Sequence, residues 1–144
     1  MKRLLPLLFM AALPAFAQVV VNEAWVRATV PQQKATGAFM TLTSTQDGKL
    51  VAASSPVAGV VEVHEMKMVD DVMRMRQVPG LPLPAGQAVA LRPGGYHLML
   101  LELKQPLKEG DKVPLTLEVE DAKQVRSNIT VEATVRALNA AAGH

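Results

Sequence analysis

The chain has 144 residues, with 15 Lys and Arg against 13 Asp and Glu, three His, eight Met and no Cys. The lack of cysteine excludes disulfides, thiol redox chemistry, cysteine-ligated zinc and blue-copper electron transfer, which needs a thiolate. No basic tract points to nucleic acid or anionic lipid as a partner.

The first segment, MKRLLPLLFMAALPAFA, sets Lys2 and Arg3 ahead of a ten-residue apolar run that Pro14 breaks. Ala15-Phe16-Ala17 has the small-x-small pattern of a signal peptidase site, so residues 1–17 read as a secretory leader cleaved after Ala17, and the protein as exported. The run is shorter than the roughly 20 apolar residues that span a bilayer. Without Lys2 and Arg3 the charges balance at 13 basic and 13 acidic. Residues 18–138 are expected to form one domain and 139–144 a short flexible tail.

From residue 19 onward, short runs rich in Val, Leu and Thr alternate with turn signals. In chain order they are VVVNEAWVRA, GAFMTLTS, GVVEVHEMKM, VMRMRQV, QAVALR, YHLMLLEL, VPLTLEVE and SNITVEATV. Many short strands at this spacing predict an all-β sandwich or barrel of antiparallel strands. Alternation is plain at Leu115, Leu117 and Val119, which share one face while Thr116 and Glu118 take the other. GLPLPAGQ, with two prolines and two glycines, reads as a surface loop.

HEMKMVDDVMRM reads as two strands joined at Asp70-Asp71. A two-residue turn there would set Met68 opposite Met73 and Met66 opposite Met75, with His64 further from the turn on the same face. Arg74 and Arg76 would face the other way, as a solvated surface. Methionine fills irregular cores, so Met66, Met68 and Met73 taken singly read as packing, with Met66 the best of them to support a nearby site. Beyond the next loop, Gly94 and Gly95 allow a sharp turn into Tyr96-His97-Leu98-Met99. His97 and Met99 are two apart and project from one face of a strand. Trp25 and Tyr96 read as packing.

Two His-Met pairings on two strands suggest a soft metal. Thioether sulfur is uncharged and binds Cu(I), whereas zinc favours His, thiolate or carboxylate and Cu(II) favours nitrogen and oxygen. Convergence of residues so far apart in the chain does not follow from spacing alone. A protein-binding module with the methionines in its core is the alternative. No Ser-His-Asp arrangement, nucleophile elbow or paired carboxylates with a clear role point to an enzyme.

The chain resembles the periplasmic copper chaperone family PCuAC. The family signature is a His, ten residues, a Met, twenty-one residues, then His-x-Met, and His64, Met75, His97 and Met99 meet it. The likeness extends over AWVRATVPQQKATGAFMTLTS, ASSPVAGVVEVHEM, GLPLPAG and PGGYHLMLLELKQPLKEGDKVPLTLEVE. The resemblance implies a cupredoxin-like, immunoglobulin-like β-sandwich holding one Cu(I) per chain through those four side chains. It also implies copper exchange with periplasmic partners, namely a Sco-type protein and the dinuclear centre of cytochrome c oxidase subunit II. Some relatives carry a His- and Met-rich tail with a second copper site. Here the tail is ALNAAAGH, with only His144, which argues against one.

Overall fold

The computed structural model describes residues 18–137 and 139. The expected leader, and the tail apart from Asn139, lie outside them. The described residues form ten strands: β1 Val19–Arg27, β2 Thr36–Ser44, β3 Gly48–Ser54, β4 Ala58–Val69, β5 Val72–Gln77, β6 Leu81–Leu83, β7 Ala88–Leu91, β8 Tyr96–Leu103, β9 Lys112–Asp121 and β10 Arg126–Arg136. The expected all-β class is what the chain adopts. The sheet runs β5-β4-β8-β2-β1-β10-β9-β3-β6, and a further pairing of β3 with β4 closes it into a flattened barrel. Pairing is antiparallel throughout except between β1 and β10, which run parallel.

The inner face is the core. Val26, Ala38, Leu42, Val63, Leu98, Leu100, Leu115, Leu117 and Val135 are all buried there. Strand alternation then turns the residues between them outward, and the candidate site lies on that outer face. A bulge in β1 makes this arrangement possible. The register shifts between Asn22 and Trp25, where Glu23 takes a positive φ of 53°. One extra residue lets Val19 and Val21 on one side, and Ala24 and Val26 on the other, all pack on the core. Trp25 and Arg27 are thereby turned to the outer face.

Two strands escape the sequence pattern. β3 is short and rich in small residues. β6 falls inside GLPLPAGQ, which reads as a surface loop, yet Leu81 and Leu83 are fully buried core residues. β6 pairs only with β3, at the sheet edge, where Pro82 costs no ladder bond that a central strand would need. Leu83→Ala is therefore expected to destabilise the fold by about 2.7–5 kcal/mol, the range for leucine truncation in a packed core. Chemical denaturation measures this, and a true loop would show almost no change.

Candidate metal centre

The β4–β5 hairpin has the register expected from the sequence. Met68 pairs with Met73, Met66 with Met75 and His64 with Gln77. The turn residues Asp70 and Asp71 have φ of 50° and 62°. Positive φ at both central positions is the conformation whose twist suits a two-residue hairpin, and aspartate tolerates it better than most residues. On its other edge β4 pairs with β8, setting His64 opposite His97 and Glu62 opposite Met99. Distant parts of the sequence therefore meet on one outer face: Met75 from β5, His64 from β4, His97 and Met99 from β8.

The two histidines are held in defined states. His97 is only 5% exposed. Its Nδ1 lies 3.0 Å from the Gly95 carbonyl, which can only accept, so Nδ1–H donates and Nε2 keeps its lone pair. Burial, together with the nearby His64, lowers the His97 pKa from the ordinary imidazole value; the Gly95 hydrogen bond opposes this without cancelling it. His64 donates through Nε2–H to the Glu62 carboxylate at 2.7 Å. Its Nδ1 is then an acceptor, and that atom is buried with no hydrogen-bond partner among the described residues. An orphaned buried acceptor is costly unless something fills the role. The two imidazole centroids are 6.0 Å apart. Two imidazoles on one ion, at metal–nitrogen distances of about 2.0–2.1 Å, reach centroid separations up to about 6 Å. The spacing of the two imidazoles is therefore within reach of a single metal ion.

Next to His97 is an open cavity of about 250 Å³, whose walls include Met66, Met75, His97 and Met99. Three of the four candidate ligands line it, while His64 stands beside it across the β4–β8 pairing. Met66 corrects an expectation. It is part of this wall and not of the core, because its cross-strand partner is Met75 and its face is the outer one. Nor do the other hairpin methionines pack inside: Met68, Met73 and Met75 are 59%, 45% and 46% exposed. The β7–β8 connection forms the far rim. β7 and β8 lie end to end along β2, so the residues between them loop outward. Gly94, at φ 86°, and Pro93 wall the cavity there.

Behind the cavity a row of rings crosses four strands. Trp25 and Phe39 have centroids 4.6 Å apart, and Phe39 and His97 6.2 Å. Trp25 and Phe39 are buried but separate from the barrel core, a packing role that agrees with the expectation for Trp25. Arg27 lies over both rings, 5.9 Å from Trp25 and 5.5 Å from Phe39, and reaches the cavity wall. Gly37, opposite Met99, leaves room for the Phe39 ring, since a Cβ there would come within 2.7 Å of it. On the far side of the hairpin Arg76 pairs with Glu65, consistent with a solvated surface. Among the described residues no three of His, Cys, Asp and Glu cluster closely enough to hold a metal ion.

The family model described as "Putative lipoprotein LpqE-like" matches residues 19–132. The chain belongs to this LpqE-like, PCuAC-type family. Among its relatives, "Putative lipoprotein Lxx21020" of Leifsonia xyli subsp. xyli is 36% identical over 120 residues, covering 76% of this chain and 71% of that protein. The solution structure of CuI-DR1885 from Deinococcus radiodurans is 36% identical, with a TM-score of 0.60 over 88% of this chain and 81% of that one. The copper-bound PCuAC domain from PmoF2 shares the fold at 19% identity, with a TM-score of 0.66 over 85% of this chain and 99% of that domain.

Proposed function

We propose that this LpqE-like protein is a periplasmic copper carrier that binds one Cu(I) through His64, Met75, His97 and Met99 and passes it on by ligand exchange. One observation carries the reading. The β5–β4–β8 register brings two imidazoles and several thioethers to one outer face, with the buried His64 Nδ1 unpaired among the described residues. The copper named in the DR1885 and PmoF2 structures supports it.

The chemistry favours the monovalent ion. Thioethers are soft and neutral, and two of them with two imidazoles leave only a single positive charge uncompensated. The Arg27 guanidinium at the cavity wall repels a divalent ion about twice as strongly as a monovalent one. Access also suits a carrier. Met75 is half exposed on an edge strand, so an acceptor's donors can replace one ligand at a time. The acceptors would be a thiol-bearing Sco-type protein or the dinuclear centre of cytochrome c oxidase subunit II. Neutral ligands hold the ion firmly yet release it without a protonation step, and no catalytic activity is required. The lipoprotein names of the relatives fit an exported protein.

Competition of the purified protein with a Cu(I)-specific chromophoric chelator tests the reading. One tightly held equivalent is expected; its absence would reject copper carriage. Glu62 is part of the arrangement because it orients His64. Glu62→Ala is expected to weaken Cu(I) binding by about 10–100-fold, the usual cost of losing an outer partner of a metal-bound histidine. An unchanged affinity would show that His64 does not depend on this carboxylate.

A further inference from the structure

The hairpin carries more sulfur than one four-coordinate ion uses. Met68 and Met73 form a cross-strand pair directly beyond Met66 and Met75, on the same face. At 59% and 45% exposure, about half of their surface stays open to solvent and neither belongs to the barrel core. Leucine or valine would serve packing as well. The pair sits one step from a turn locked by two left-handed aspartates, so its register does not slip. Among the described residues β5 pairs with β4 alone. Asp70 and Asp71 at the tip are offset by Lys67 and Arg74, a cross-strand pair on the opposite face, so the attraction for the ion comes from the thioethers and not from net charge.

We propose that Met68 and Met73 form a second, weaker Cu(I) position, an outer station through which the ion enters and leaves the main site. The inference rests on the copper-carrier reading. Side chains directly opposite on one face have Cβ atoms about 4.5–5.5 Å apart, close enough for two thioethers to share an ion. Successive positions on that face are about 7 Å apart along the strand. Methionine has three rotatable bonds and spans part of that interval from each side. The ion moves inward by forming a bond to the sulfur of Met66 or Met75 as it breaks one to Met68 or Met73. It then meets His97 Nε2 and the Met99 sulfur. Outward movement reverses these steps. Copper remains monovalent and no proton moves, because thioethers carry none. Met66 is the inner rung of this ladder, which explains its place in the cavity wall.

The double variant Met68→Leu/Met73→Leu tests this, since leucine keeps the apolar surface and removes only sulfur. Wild type and variant are titrated anaerobically with Cu(I), using a weak and a strong chromophoric chelator. The expected result is that both hold the first equivalent with equal affinity, while only wild type retains a second, weaker one. Transfer of the first ion to the strong chelator should slow several-fold in the variant. If wild type shows no second equivalent, or the variant keeps it and transfers at the wild-type rate, the outer station is wrong while copper carriage stands. If wild type binds no copper at all, the underlying reading falls with it. A variant altered only in transfer to a protein acceptor, and not to the chelator, would assign the methionines to partner docking and overturn the metal role.

Discussion

His97→Ala is expected to abolish tight Cu(I) binding. The side chain is buried, its Nδ1 is committed to the Gly95 carbonyl, which leaves Nε2 with its lone pair, and the residue lines the cavity together with the thioethers. Losing an outer partner of a metal ligand already costs about 10–100-fold, so losing the ligand should exceed about 100-fold. Alanine also leaves a void beside Phe39, and some loss of stability will accompany it. Met99→Leu separates the two effects. The swap nearly conserves volume and should cost less than about 1.5 kcal/mol, yet it removes a sulfur donor. Chelator competition alongside thermal unfolding checks both variants. Tight binding retained by His97→Ala in a folded protein would remove that histidine from the site.

Acid is expected to release the metal and loosen the empty fold. A proton and a metal compete for the same imidazole lone pair. An ordinary imidazole titrates near about pH 6.5, and burial moves His97 below that. Affinity should therefore be flat above about pH 6.5 and fall as pH drops below it, by up to about tenfold per unit for each protonated ligand. The sign for stability follows from the same depressed value. Below about pH 6.5 the unfolded chain takes up the proton before folded His97 does, so stability rises with pH across the window beneath it. Stability is full above that window and lost as pH falls through the folded value. Chelator competition at pH 7.5 and 5.5, with melting curves of the metal-free protein, reads both effects. A flat affinity across that range would argue against histidine ligation.

Much of the site was legible because it is built from strand alternation. The spacing of methionines about Asp70-Asp71 defines the hairpin register, and the i, i+2 spacing of His97 and Met99 defines their common face. The pairing of His64 with His97 was not legible from local pattern, since neighbouring strands in a closed sheet need not be neighbours in the chain. Family spacing supplied the association, and the register supplies its physical basis. Glu62 was missed although the signal is simple: it stands two residues before His64 and so shares its face. β6 was hidden by Pro82 within it and Pro84 just after it, and the edge of the sheet tolerates Pro82. Met66 was read as packing because methionine usually is, and its position opposite Met75 decides otherwise.

The most direct measurement is X-ray absorption at the copper edge of protein loaded with one equivalent of Cu(I). The account predicts a first shell containing both imidazole nitrogen and thioether sulfur, with sulfur reduced in Met75→Leu. A shell of nitrogen and oxygen alone, unchanged in that variant, would contradict it.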